Sequence, residues 1–288
     1  MNLIQKAWVA FIVLASSLCH GQAPHGTIVI LDFAKDKMAI AADSRITFND
    51  KPPDDSFCKI RVFRHRILFA QMGSIGYVRG SNDPFPGWYN APLALRAVRE
   101  MGSPDKDPDV EIKDVSSIWA TSLALYWNRA LKTNPDVVYR TAKPGGDIIT
   151  GAVFAEARNG SIHWRTVFVG LNPTLNPPAV QAFSGELHDC YPCGEGEKVC
   201  AMARPIIPAE FCTQSSARAK DEAAHWNPSP ELESWVALET LHAVRLVDLT
   251  IAFDPIGNLG GKIDTVELGN DGTIHWVFRK PNCPDNED

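Results

Sequence analysis

The amino-acid sequence predicts an α+β fold in which two β-sheets are packed between helices. Three observations lead to this fold class. Strand patterns come in groups, with two hairpins before the helical stretches, three strands after them and a last hairpin at the end of the chain. The first strands are apolar almost throughout, which indicates burial on both faces. The 288 residues show no internal repeat or sharp change of composition, so a single domain is expected after the N-terminal segment.

The first half of the chain contains six predicted elements. Hydrophobic periodicity and flanking turn residues predict strands at 27–33, 37–42, 59–63 and 67–72 and helices at 91–101 and 116–131. A Ser-rich start opens the second helix. The Gly- and Pro-rich stretch 73–90, between the fourth strand and the first helix, is predicted to be a loop.

The second half returns to strands. Residues 147–156, 161–170 and 179–183 are predicted strands, and a Gly- and Glu-rich loop follows within a cysteine-rich insertion around 190–212. A helix is predicted at 230–247, with a proline in its first turn. The last hairpin joins 261–268 to 273–278 through Gly269-Asn270-Asp271-Gly272, a strong turn signal.

The N-terminus has the pattern of a secretory signal peptide. Lys6 precedes the apolar run 7–15, and small and polar residues follow up to Gly21. We therefore expect residues 1–21 to be removed and the mature protein to be secreted or periplasmic, with no stable membrane insertion. An uncleaved membrane anchor is the alternative, although the apolar run is short for a membrane-spanning helix.

The cysteines are consistent with export. Without the signal peptide six remain, an even number that favours disulfides in an oxidising compartment: Cys58, Cys190, Cys193, Cys200, Cys212 and Cys283. A zinc site is the alternative for the cluster at 190–212, because Cys190 and Cys193 have ligand spacing. The pair Cys200 and Cys212 lacks that spacing.

Charge and histidine placement exclude several classes of function. The formal net charge is −6 and the basic residues are scattered, which argues against nucleic acid or an anionic membrane as partner. The eight histidines show no metal-ligand spacing. We expect neither a metal nor a cofactor.

Three residues near the start of the domain could carry chemistry. Thr27, Asp43 and Lys59 follow one another at equal intervals of 16 residues: Thr27 opens the first predicted strand, Asp43 follows the second and Lys59 opens the third. A threonine hydroxyl becomes a good nucleophile only when a base removes its proton, and an α-amino group with a pKa of about 7.7–8.0 can serve. That base exists only if Thr27 is the first residue. A charged Lys59 would favour the alkoxide, and Asp43 would compensate and hold the lysine.

A structural interpretation is available for each residue alone. Threonine is a common strand residue, and an aspartate and a lysine at strand ends usually form a solvated ion pair. The joint spacing favours a catalytic site, because Gly26 stands before Thr27 and Gly73 follows the fourth strand. The Gly73 amide would bind the developing oxyanion.

This pattern resembles the proteasome β-subunit family of N-terminal-nucleophile hydrolases, from residue 27 without a gap to Gly73 and more loosely beyond. The resemblance implies a four-layer αββα sandwich and a leader, residues 22–26, removed by autocatalytic cleavage at Gly26–Thr27. It implies catalytic roles for Thr27, Asp43, Lys59, Gly73, Ser184 and Asp254. It also implies structural roles near the site for Arg45 and Thr47, and a substrate pocket lined by Ile46, Phe57, Gln71 and Ile75. The sequence departs from the family at Leu259, where a serine is expected before Gly260-Gly261.

The resemblance implies a threonine-type peptidase that acts on peptides or proteins. With three apolar residues and one amide in the pocket, we expect apolar or small side chains on the acyl side of the cleaved bond. A homo-oligomer is expected, and no ATP-driven unfoldase, because an exported protein has no obvious ATP supply. Two alternatives stay open: a non-catalytic scaffold resembling the family's α subunits, and an amidase acting on small amides.

Overall fold

The computed structural model of this chain describes residues 28–47, 52–78, 87–142, 147–185, 190–194, 197–202, 221, 238–252, 257 and 259–288. The predicted signal peptide and leader, Thr27, Cys212 and Asp254 lie outside the described residues. Side chains are likewise not described for Cys193 and for the first residues of the last helix.

The described residues form an α+β protein with two main antiparallel sheets, as the strand groups predict. The first sheet has six strands in the order β10-β11-β1-β2-β12-β13. Their bounds are β1 Val29–Phe33, β2 Lys37–Ala42, β10 Cys190–Gly194, β11 Glu197–Met202, β12 Asp264–Gly269 and β13 Ile274–Phe278. The β2–β12 pairing joins the start of the domain to its end, with Ala42 opposite Asp264.

The second sheet has five strands in the order β3-β4-β7-β8-β9. Their bounds are β3 Ile60–Phe63, β4 Ile67–Gly73, β7 Ile148–Arg158, β8 Ser161–Asn172 and β9 Ala179–Ser184. A separate two-stranded ladder pairs β5 Gly76–Tyr77 with β6 Trp88–Tyr89. The prediction of a loop over 73–90 is therefore wrong at both ends, where Tyr77 and Trp88 stack with ring centroids 4.8 Å apart.

Four helices are described: α1 Asn90–Met101, α2 Pro108–Thr133, α3 Pro135–Ala142 and α4 Leu238–Ala252. The prediction for α2 began eight residues too late. The true start has a clear local cause, because the Asp107 side chain accepts a hydrogen bond from the Val110 amide and Pro108 occupies the first turn. Helix α3 was missed, and α4 extends past the predicted end at residue 247.

The cysteine-rich stretch is a second correction. It was predicted as a loop, yet β10 and β11 form a hairpin and β11 pairs along its length with β1. Val199, Cys200, Ala201 and Met202 are all buried, so this strand is covered on both faces. Two of the Gly- and Glu-rich residues that suggested a loop belong to the strands, since Gly194 ends β10 and Glu197 begins β11.

Three groups of buried apolar side chains surround the two sheets. One joins the five-stranded sheet to α1, α2 and α3, and includes Phe69, Trp119 and Phe154. A second contains side chains from both sheets, such as Ile40 and Val153. The third joins β1, β2 and β11 to α4. No described helix is long and apolar enough to cross a membrane.

Two disulfides join cysteines of the predicted set, Cys58 to Cys283 and Cys190 to Cys200. The prediction of disulfides is confirmed for these four residues. Because Cys190 and Cys200 are bonded to each other, neither is a thiolate that can bind zinc. A four-cysteine zinc site at 190–212 is therefore not what the structure contains.

The Cys58–Cys283 disulfide closes a loop of 225 residues, and long loops gain most from a cross-link. Replacing both cysteines with alanine is expected to lower the free energy of unfolding by about 3–5 kcal/mol. Urea unfolding followed by circular dichroism measures this loss. Because Cys190 and Cys200 are only 10 residues apart, their double replacement is the matched control with the smaller expected loss. If replacing Cys58 and Cys283 lowers the free energy of unfolding by less than replacing Cys190 and Cys200, the expectation is contradicted.

Candidate active site

The centre of the candidate site is an ion pair between Asp43 and Lys59, both of which are fully buried. The Lys59 ammonium donates to Asp43 Oδ1 over 2.8 Å and to the Arg45 carbonyl oxygen over 2.6 Å. The lysine comes just before β3 and the aspartate just after β2. The predicted pairing of these two residues is confirmed as a contact.

The Asp43 carboxylate also connects two further segments to this ion pair. Its Oδ1 accepts a hydrogen bond from the Ile28 amide over 2.9 Å, and its Oδ2 accepts one from the Gly260 amide over 3.1 Å. Buried charges are stable in proteins only when such partners replace water. Asp43 thus holds the residue that follows Thr27 in the sequence, the lysine and the Gly-Gly segment near the end of the chain.

The charge of Lys59 depends on two opposing effects. Burial lowers the pKa of its ammonium to about 8, while the neighbouring Asp43 carboxylate acts to raise it. The lysine is therefore mostly protonated at neutral pH and loses its charge within a pH range accessible to most proteins. A group with this property can respond to small changes in its surroundings.

Arg45 also holds the segment that contains the two glycines, through hydrogen bonds. Its guanidinium makes two hydrogen bonds to Asp55, of 2.7 and 2.8 Å, and donates to the carbonyl oxygens of Gly257 and Leu259. The φ angle of Gly260 is +154°, which favours glycine, and a Cβ atom there would lie 2.6 Å from the Arg45 guanidinium carbon, so Arg45 would have to shift. Gly260 and Arg45 are thus in contact, although Leu259 stands where the resemblance implied a serine.

Gly73 ends β4 at the same end of the ladder as Lys59. Its φ angle is +73°, and a Cβ atom would lie 2.6 Å from the Ile149 carbonyl oxygen. Both observations require glycine at this position. Gln71, two residues earlier, donates its backbone amide to the Lys59 carbonyl oxygen.

The four residues predicted to line a substrate pocket lie close in sequence to these groups. Ile46 follows Arg45, Phe57 precedes Cys58, Gln71 is opposite Lys59 and Ile75 follows the β4 end. Ile46, Gln71 and Ile75 are buried, and Phe57 is partly exposed. In the described part of the chain, neither side-chain amide atom of Gln71 has a hydrogen-bond partner.

The structure does not bring Ser184 beside Lys59. Ser184 is exposed on the edge strand β9 and is paired with Val167 of β8. Across the sheet, Val167 is paired with Ala152 of β7, and Ala152 with Gln71 of β4. With a strand spacing of about 4.8 Å, four strand steps separate Ser184 from Lys59, or about 19 Å between backbones. The remaining predicted site residues, Thr27 and Asp254, lie outside the described residues, and Thr47 is partly buried after Ile46.

Sequence reasoning missed a second buried ion pair, between Asp264 at the start of β12 and Lys280 in the C-terminal segment. The Lys280 ammonium is bonded to Asp264 Oδ2, and the Lys280 backbone amide donates to Oδ1 over 3.1 Å. No motif marks these residues. The β2–β12 pairing, which sets Asp264 opposite the residue before Asp43, and the Cys58–Cys283 disulfide bring them to the site.

Comparison with known proteins adds no assignment. No protein-family model matches the chain, and no curated protein matches it.

Proposed function

We propose that this chain is an exported N-terminal-threonine hydrolase, resembling proteasome β subunits, that cleaves peptide bonds. The observation that carries the proposal is the buried Asp43–Lys59 ion pair, whose carboxylate also binds the amide of Ile28. A solvated pair at two strand ends was the structural alternative, and full burial argues against it. Ile28 follows Thr27 directly in the sequence, so the carboxylate of the pair binds the residue next to the proposed nucleophile.

The proposed mechanism is acyl transfer to Thr27. Once the Gly26–Thr27 bond is cut, the new α-amino group takes the hydroxyl proton as Oγ attacks the substrate carbonyl carbon. The Lys59 cation favours the threonine alkoxide, and the Gly73 amide binds the oxyanion of the tetrahedral intermediate. The protonated amine then gives its proton to the leaving amine, and water hydrolyses the acyl-enzyme in a second, similar cycle.

The fold proposed with this function is a single domain of four layers, α-β-β-α. Three groups of buried side chains support that order, since one contains side chains of both sheets and each of the others joins one sheet to helices. Export remains part of the proposal. Two disulfides fit an oxidising compartment.

A non-catalytic scaffold of the same fold is the second candidate. Leu259 in place of the family serine favours it, and so does the distance of Ser184 from Lys59. The buried lysine argues against it, because a scaffold has no need for a buried cation paired with a carboxylate that also binds Ile28 and Gly260. An amidase for small amides would share the proposed site, and a homo-oligomer that needs no ATP-driven unfoldase remains the proposed assembly.

The direct test is the intact mass of the protein purified from its exporting host. The expected mass begins at Thr27 and includes two disulfides. A chain that keeps residues 22–26 quantitatively has no free threonine amine and contradicts the catalytic proposal. The scaffold candidate predicts that unprocessed mass together with no hydrolysis.

Substrate preference is tested with a fluorogenic peptide panel that varies the residue on the acyl side. We expect neutral side chains, apolar or small, to be cleaved at least about tenfold faster than acidic or basic ones, because Ile46, Gln71 and Ile75 are buried and uncharged. The unpaired Gln71 amide would also accept a neutral hydrogen-bonding side chain. Fastest cleavage after an acidic or basic residue would contradict the pocket assignment.

A further inference from the structure

The C-terminal segment contributes a second charged pair to the site. Asp264 and Lys280 are buried to nearly the same degree as Asp43 and Lys59. Two buried pairs of opposite charge therefore lie inside the protein, one from the start of the domain and one from its end. We call Asp43, Lys59, Asp264 and Lys280 the charge quartet.

Two connections fasten the halves of the quartet to each other. In the β2–β12 ladder, Ala42 pairs with Asp264, so Asp43 directly follows the partner of Asp264. The Cys58–Cys283 disulfide ties the residue before Lys59 to the segment that carries Lys280. The Cys283 sulfur lies 3.9 Å from Asp264 Oδ2, so the disulfide that reaches the residue before Lys59 also contacts the second pair.

We infer that Lys280 is a positioning residue for the site. Lys280 is paired with Asp264 and lies three residues before Cys283, which is bonded to Cys58. Through these contacts it helps to hold the Lys59 ammonium in place and influences how readily that ammonium keeps its proton. The inference rests on the proposed function for its catalytic meaning, while the contacts of the quartet stand without it.

The electrostatic consequences follow from the groups around Lys59. Burial and Asp43 dominate its pKa; the Lys280 cation lowers that pKa further, by more than the Asp264 carboxylate raises it. Asp55, the partner of Arg45, is a further carboxylate whose pKa responds to the Lys59 charge. Burial lowers the pKa of Lys280, the Asp264 and Asp43 carboxylates act to raise it, and Arg61 acts to lower it.

The test is a pH titration of Lys59 by NMR in protein whose lysines are ¹³C-labelled at Cε, with the Lys59 signal assigned from its loss in Lys59→Met. In the wild-type protein we expect a midpoint near pH 8. In Lys280→Met the midpoint is expected to rise by at least about half a pH unit, because a nearby cation has been removed. Lys280→Arg keeps the cation and is expected to keep the midpoint.

Two further variants separate this effect from a general structural one. Lys280→Met combined with Asp264→Asn leaves no unpaired buried charge and is expected to fold even if the single variant does not. In this double variant the Lys59 midpoint is expected to rise by less than in Lys280→Met. The matched control is Lys37→Met, which removes a lysine paired with Glu267 farther along the same β2–β12 ladder and is expected to leave the midpoint unchanged.

An unchanged Lys59 midpoint in the double variant, or in a folded Lys280→Met protein, overturns the inference. If the protein hydrolyses peptides, the alkaline limb of its kcat/KM profile is expected to move upward together with the midpoint. A shifted midpoint in a protein without hydrolase activity would support the positioning role and count against the proposed function. An active enzyme whose Lys59 midpoint does not shift in Lys280→Met would support the proposed function and overturn the positioning role.

Discussion

Replacing Thr27 with alanine is expected to abolish both processing and hydrolysis. The variant lacks the hydroxyl that attacks the Gly26–Thr27 bond, so its mature mass should begin at Gln22, where the signal peptide is expected to end. Its rate with peptide substrates should fall to the background of the assay, a loss of at least about 10³-fold. Intact mass and a fluorogenic peptide assay on the same preparation measure both effects.

Two controls show whether the Thr27 hydroxyl itself is responsible. Thr27→Ser keeps a hydroxyl and is expected to be processed and to retain part of the activity. Thr174→Ala removes an exposed threonine hydroxyl, bonded to Asn172, far from the proposed chemistry in sequence and is expected to behave as wild type. A fully processed or active Thr27→Ala protein would contradict the proposed nucleophile.

Replacing Lys59 with methionine is expected to have the next largest effect. The change leaves the Asp43 carboxylate buried without its cation, and breaking such a pair costs about 3–5 kcal/mol in the free energy of unfolding. Activity is expected to fall by on the order of 10³-fold, because the cation that favours the alkoxide is gone. Urea unfolding and kcat/KM measure the two losses separately.

A double variant distinguishes a folding effect from a catalytic one. Asp43→Asn combined with Lys59→Met has no unpaired buried charge, so it is expected to recover much of the lost stability while staying inactive. The control is Lys37→Met, whose partly exposed pair with Glu267 should contribute less than about 1 kcal/mol. Recovery of activity in the double variant would show that Lys59 has only a structural role.

The wild-type pH profile gives an independent check on Lys59. Its pKa is lowered to about 8, so the ammonium keeps its proton below that pH and loses it as the pH rises through 8. The proposed mechanism needs the cation, so kcat/KM is expected to decline with a midpoint near pH 8. On the acid side activity is lost as the Thr27 amine becomes protonated. A profile that keeps rising beyond pH 9 would contradict a requirement for charged Lys59.

Local patterns predicted the elements whose ends are marked by strong turn residues. β2 was predicted with both ends correct, because its apolar run lies between a charged turn and Asp43. The start of α2 was missed although Asp107 and Pro108 carry a helix-start signal, because the following residues mix charged and apolar types. β11 was missed because the turn residues before it hid a short buried strand, whose placement depends on pairing with β1.

The candidate site divides in the same way. Asp43 follows β2 and Lys59 precedes β3, and their spacing predicted the Asp43–Lys59 contact although the two strands belong to different sheets. Asp264 and Lys280 reach that site through the β2–β12 pairing and the Cys58–Cys283 disulfide, which no local pattern encodes. Ser184 is the opposite case. A motif match predicted it at the site, but the strand order separates it from Lys59. The short segment between Asp43 and Lys59 limits how far apart these two residues can lie, whereas residues from the two ends of the domain meet only when tertiary packing brings their segments together.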